Sequence, residues 1–184
     1  MKKFVSITAM MLLGTVVGQG TDIATPDLKI TDKAVLSFES INFGGKTYFL
    51  AVSKNGRFVN AEQRMADDLT FNDRTSFIAD VSACAQGYFA FSPYGYPEKY
   101  IIPSGQRMTL ANKADITAAT DAVATKLKKL ACFQVNTGLG TYTTSYALQS
   151  QYTVGRYLMV DATDGVTTLV KAKFQKMVDT DVDL

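Results

Sequence analysis

Few residues in this chain can do chemistry. Histidine is absent from its 184 residues, which removes Ser-His and Cys-His nucleophile systems and any His-based zinc site. Asp67 and Asp68 are adjacent carboxylates in a polar stretch, the pattern of solvated surface. A glycosidase needs two carboxyls facing each other across a cleft, which adjacency does not provide. Gly138-Leu139-Gly140 has no strand-to-helix setting and reads as a turn, not a phosphate cradle. No catalytic residue, cofactor or metal is expected. Candidates for recognition remain. Asp73 with Arg74, and Arg156 with Asp161, each combine an acceptor for two hydroxyls with a donor beside it. Tyr94 and Tyr96 lie in a turn with Gly95 and Pro97 and offer rings on which a sugar face can stack. Asp-rich turns such as Asp161 to Asp164 also form for purely local reasons. With so few convergent groups each pocket is expected to be weak, and useful affinity requires several at once.

The elements that must position these residues are repeated. Leu36 and Phe38 alternate, Ser40 follows, the chain turns at Gly44-Gly45 and leaves through Tyr48-Phe49-Leu50. The order returns as Tyr88, Ala90, Ser92 and Tyr100-Ile101-Ile102, and again as Tyr146, Leu148, Ser150 and Tyr157-Leu158-Met159. The step from Ser to Tyr is eight, eight and seven residues. Each unit reads as two strands joined by a turn. A further strand follows each (Phe58-Val59, Met108 to Leu110, Thr168 to Val170), and each repeat closes on a Phe: Phe77, Phe133 and Phe174. Four strands in three repeats is the pattern of an all-β fold of the β-trefoil type, in which no repeat buries its apolar face alone. Phe38, Tyr48, Phe58, Phe77, Tyr100, Leu110, Phe133, Tyr157, Leu169 and Phe174 are the expected core. Ile116, Ala119, Val123, Leu127 and Leu130 recur at helical spacing. With Asp115 as cap and lysines in the last turn, they predict a helix over 117–130, inserted in repeat two. A shorter helical turn is expected within 60–69.

Residues 1–20 have a basic start, an apolar run from Phe4 to Val17 and small residues at Gly18 and Gly20. They read as a secretory signal peptide, so the mature chain is expected to be secreted, with no membrane segment after cleavage. Residues 21–34 form a polar arm, 35–178 the trefoil domain and 179–184 an acidic tail. The whole chain has Lys+Arg 19 and Asp+Glu 17; the signal holds Lys2, Lys3 and no acid, leaving 19 − 2 = 17 of each sign. A mature chain of zero net charge lacks the basic surplus of a nucleic-acid binder and has no long-range repulsion against self-association. The arm, through Leu28 and Ile30, is a candidate for lying along a neighbouring copy in a homo-oligomer. In an exported protein two cysteines, Cys84 and Cys132, are expected to form a disulfide.

The stretch SFESINFGGKTYFL from Ser37, with its echoes at Tyr96-Pro97-Glu98-Lys99-Tyr100 and Gly155-Arg156-Tyr157-Leu158, resembles the arabinose-binding β-trefoil module of α-L-arabinofuranosidase B. That family repeats a pattern close to V-S-F-E-S-x-N-x-P-G-R-Y-L-R-H, followed by F-x-x-D-A-S/T-F. The resemblance covers about Val35 to Val178 and implies non-catalytic binding of arabinofuranose side chains of plant polysaccharides. The chain departs from the family where ligand is held. Ala51, Pro103 and Val160 lie near the places of the pocket histidines. The acid of the second motif survives only as Asp73, one residue early, while Leu130 and Lys171 open the corresponding segments of the other repeats. A polysaccharide ligand is one expectation. An extracellular structural or self-assembling protein that keeps the fold without the sugar is the other.

Overall fold

The computed structural model describes residues 7–9, 30–39, 47–105, 107–117, 122–137, 146–161 and 169–176, with side chains at all of these except 7–9, 137, 159–161 and 169–176. The turns at Gly44-Gly45 and Gly138 to Gly140, residues 21–29 of the arm and the acidic tail lie outside them, as do the side chains of Asp161, Leu169 and Phe174.

Short alternating segments set the strands, and glycine- or proline-bearing turns end them. In chain order the strands are β1 (Ile7–Ala9), β2 (Val35–Phe38), β3 (Phe49–Val52), β4 (Phe58–Glu62), β5 (Ser76–Asp80), β6 (Phe89–Pro93), β7 (Lys99–Ser104), β8 (Arg107–Asn112), β9 (Cys132–Thr137), β10 (Tyr146–Ser150), β11 (Arg156–Asp161) and β12 (Leu169–Lys176). Three short helices accompany them among the described residues: α1 (Phe71–Thr75), α2 (Lys113–Thr117) and α3 (Ala122–Ala131). None is long and apolar enough to cross a membrane.

Strands β2, β5, β6, β9 and β10 lie side by side in antiparallel order. Strands β3–β4, β7–β8 and β11–β12 are antiparallel pairs. Their inner members meet, because β4 pairs with both β8 and β12. The described sheet is not closed: β1, inside the segment expected to be a signal peptide, runs parallel along β2. The third repeat differs from expectation. Its separate strands at 168–170 and from Phe174 are one strand, β12, because the ladder from Asp161↔Lys171 to Arg156↔Lys176 is unbroken and leaves no turn between them.

The pleat sends alternate residues to two cores. In β7, Ile101 enters the main core while Tyr100 and Ile102 enter a second one; in β6, Phe91 and Ala90 divide likewise. The main core is aromatic. Phe38 meets Phe91 edge-on at 5.0 Å between ring centroids and Phe77 at 5.6 Å, and Phe91 lies 6.2 Å from Phe133. Each such ring contributes about 1.5–3 kcal/mol by leaving water. Phe38, Tyr48, Phe77, Tyr100 and Phe133 are buried as the repeats predict. Phe58, Leu110 and Tyr157 are only half-buried, and the Arg107 guanidinium lies 5.3 Å from the centre of the Phe58 ring. Phe91 was not among the expected core residues, because alternation counted from Ala90 places it on the other face.

The second core explains the insertion. Helices α2 and α3 cover the outer face of β7, joining Ile116, Leu127 and Ala131 to Tyr100, Ile102, Ala83 and Ala90. Of the helix expected over 117–130, Ala122 to Leu130 lie in α3 and Thr117 ends α2, while 118–121 lie outside the described residues. Ala124, Leu127 and Ala131 face inward, and Val123, expected on the apolar stripe, is 64% exposed. Asp115 lies within α2, not at a cap, and accepts from Asn112 Nδ2 at 3.0 Å. The helical turn expected within 60–69 is also displaced: Asn60 to Glu62 belong to β4, and the helix is α1.

Two ties fasten this core. Cys84 and Cys132 are bonded, with Cα atoms 5.7 Å apart, inside the normal range for a disulfide. Asp80 accepts from Tyr100 Oη at 2.8 Å and Ser82 Oγ at 2.7 Å, and Lys33 Nζ lies 3.2 Å from it. Burial pushes the Asp80 carboxyl up, but Ser82, Tyr100 and Lys33 outweigh it and hold the group well below the usual carboxylate range. The end of the arm docks here on its own chain. Lys33 N donates to Ala79 O, Ala79 N donates to Ala34 O, both at 2.8 Å, and Ile30 packs against the main core.

Replacing Cys84 and Cys132 together with serine is expected to lower stability by about 4 kcal/mol, the loop-closure value for a span of this length. Urea denaturation under non-reducing conditions checks it. An unchanged midpoint would show the tie to be redundant.

Candidate functional site

The candidate site is built from one short helix. Phe71 is buried and meets Phe49 edge-on at 5.5 Å, seating α1 on β3. Thr75 Oγ1 donates back to Phe71 O at 2.9 Å. On that seat Arg74 turns inward and is only 9% exposed. Its Nη1 donates to Val52 O at 2.8 Å and to Glu62 Oε2 at 2.6 Å, its Nη2 to Asp68 Oδ2 at 2.5 Å, and its Nε to Thr70 Oγ1 at 3.4 Å. Four of the guanidinium's five N–H donors are thus met among the described residues. Asp68 is fixed from its other side by Thr70, whose N and Oγ1 donate to Oδ1 at 3.1 and 2.7 Å. The Thr70 hydroxyl, followed by the Arg74 guanidinium, holds the Asp68 carboxyl down at about 2. Lys54 Nζ stands 3.7 Å from the same carboxylate.

Above this floor lies an open cleft of about 640 Å3, within the range of roughly 300–1,000 Å3 usual for ligand clefts. Repeat one supplies Lys54, Asp67, Leu69 and Asp73; repeat two supplies Gly95 and Tyr96. The Tyr96 ring is fixed by its surroundings. Lys99 Nζ lies 5.4 Å from its centroid, and its body packs on the main core. Its hydroxyl abuts the turn at Gly56, where φ is +68 and a Cβ would fall 2.6 Å from Oη. Glycine is required there for both reasons, since L side chains rarely adopt this conformation. The turn itself is tied by Ser53 Oγ to Asn55 Oδ1 at 2.7 Å and by Phe58 N to Ser53 Oγ at 3.0 Å.

Of the six candidate ligand-binding residues, the structure brings Asp73, Arg74 and Tyr96 to this cleft. Asp73 is exposed at the rim, whereas Arg74 belongs to the floor and spends most of its donors on protein. Tyr94 is 40% exposed and does not line the cleft. Arg156 and Asp161 are not brought together. They sit at opposite ends of β11, about 16 Å apart at ~3.3 Å per residue. Asp68, expected to be a solvated surface group, is the anchor of the floor with a side chain 9% exposed. Glu62, Thr70, Lys54 and Leu69 were not anticipated. The one sequence signal for them is the Asp-Leu-Thr order ahead of α1, the arrangement of an Asx turn.

No protein-family model matches the chain, and no curated protein sequence matches it. Solved structures do. An α-L-arabinofuranosidase of family GH54 soaked with a cyclic sulfate inhibitor aligns with a TM-score of 0.60 at 16% identity, over 85% of this chain and 30% of that one. An arabinofuranosidase complexed with arabinofuranosyl-α-1,2-xylobiose aligns with a TM-score of 0.56 at 18% identity, over 71% of this chain and 25% of that one. The cytolethal distending toxin from Actinobacillus actinomycetemcomitans aligns with a TM-score of 0.52 at 14% identity, over 70% of this chain and 73% of that one. At these identities the likeness is one of fold, and the chain spans less than a third of each arabinofuranosidase chain.

Substituting Arg74→Ala strands Asp68 and Glu62 without their cation and should destabilise by about 3 kcal/mol, read from the urea midpoint at neutral pH. Asp68 and Asp80 both have folded values below the ordinary 3.8. Their stabilisation is fully present above about pH 5 and is lost as the pH falls towards about 2, where Asp68 is half protonated and Asp80 still holds part of its share. The fall in midpoint between those pH values should be shallower for Asp68→Asn than for the wild type; equal slopes would remove Asp68 from the account.

Proposed function

We propose that this chain is an exported, non-catalytic glycan-binding protein of β-trefoil architecture, and that the cleft under Tyr96 is where it takes arabinofuranose-type side chains of a polysaccharide. The observation that carries this reading is the cleft itself: an aromatic ring held rigidly beside exposed carboxylates. A ring face takes the C–H side of a sugar and carboxylates take its hydroxyls. The architecture supports it. Five adjacent antiparallel strands and three strand pairs with meeting inner members match the layout of a trefoil. The fold likeness to arabinofuranosidases, one of them holding an arabinofuranosyl-xylobiose, supports the choice of sugar.

Affinity electrophoresis of the mature chain in gels containing arabinoxylan tests the proposal. Retardation is expected, and Asp73→Ala and Tyr96→Ala should each weaken it about tenfold, the loss of roughly 1.4 kcal/mol of contact. Migration indifferent to arabinoxylan, arabinan and xylan alike would overturn it.

A further inference from the structure

Leu69 is 96% exposed, more than any other large apolar side chain among the described residues. Scattered surface leucines are ordinary, but this one is held outward. Its two neighbours are both pinned to the floor: Thr70 donates twice to Asp68 Oδ1, and Arg74 holds Asp68 through Nη2 and Thr70 through Nε. With positions 68 and 70 fixed, position 69 cannot turn to the interior without breaking the ion pair. The side chain so displayed lines the cleft that Tyr96 also lines. Leu69 comes from repeat one and Tyr96 from repeat two, so the cleft has an apolar wall from each.

We infer that Leu69 is a ligand-contacting residue, a preset apolar wall that selects ligands with a C–H face as well as hydroxyls. The inference rests on the glycan reading of the cleft. The class it implies is a sugar ring with its hydroxyls directed at Asp67 and Asp73 and its carbon face against Leu69 or Tyr96. Simple polyols that lack a ring face are excluded. The residue has no folding role to lose, because an exposed side chain contributes little to stability.

The test uses arabinoxylan affinity electrophoresis with thermal denaturation of the same samples. Leu69→Ala and Leu69→Ser should weaken retention about tenfold, the effect of leaving roughly 1.5 kcal/mol of apolar contact unmade. Leu69→Tyr, which offers an aromatic face in the same place, should match or exceed the wild type. The melting temperature should stay at the wild-type value in all three. Val154→Ala serves as control, since Val154 is 79% exposed on a turn of repeat three, and it should bind as the wild type does. Wild-type retention by Leu69→Ala would overturn the inference and leave the glycan reading standing. Equal losses for Val154→Ala and Leu69→Ala would overturn it too, as general surface stickiness. A wild-type chain that arabinoxylan does not retard would remove both readings together.

Discussion

The guanidinium of Arg74 is the interaction on which the rest of this site depends. Taking a cation out of water is unfavourable by several kcal/mol unless its donors are satisfied, and here they are met from three stretches of chain: Val52 in β3, Glu62 in β4, and the loop holding Asp68 and Thr70. Because α1 is only five residues long, it has little stability of its own. The ion network and the Phe71–Phe49 contact fix it in place. In doing so they tie the β3–β4 hairpin to the loop ahead of α1, and the floor of the cleft is the result.

A second constraint operates at the other side of the fold. Strands β6 and β7 are buried on both faces, which is unusual for an antiparallel sheet with a solvated side. The second face needs a cover, and α2 and α3 provide it, with the disulfide and the Asp80–Tyr100 hydrogen bond fastening the cover at its margins. The insertion is a consequence of Tyr100, Ile102 and Ala90 alternating with main-core residues.

Legibility from sequence followed the range of the interaction. Strand pairs were readable because alternation and turn residues are local, and Phe77 and Phe133 stood out because a Phe closes each repeat. The cysteine pair followed from their number and setting. Residues whose roles depend on distant partners were not readable. Asp68 looks like any surface acid until Arg74 arrives from α1. Leu69 carries no signal in its type, only in the fixation of its neighbours. Arg156 and Asp161 looked like a pair because they are near in sequence, but an extended strand separates what a helix would bring close. The helix was found with part of its inward face, Leu127, but Val123 was assigned inward and is exposed, because an apolar period does not show which of two flanking positions meets the sheet.

The wall at Tyr96 comes from one repeat and the floor from another, with Gly56 pressed against the tyrosine hydroxyl between them. Neither repeat holds a complete site. Any molecule that fills the cleft therefore touches both, and its binding free energy adds to the cohesion of the two repeats through mass action. Saturation would make their separation less frequent, so that hydrogen exchange in β3, β4 and the turn before β7 slows together. In this arrangement occupancy and local unfolding are two readings of one equilibrium.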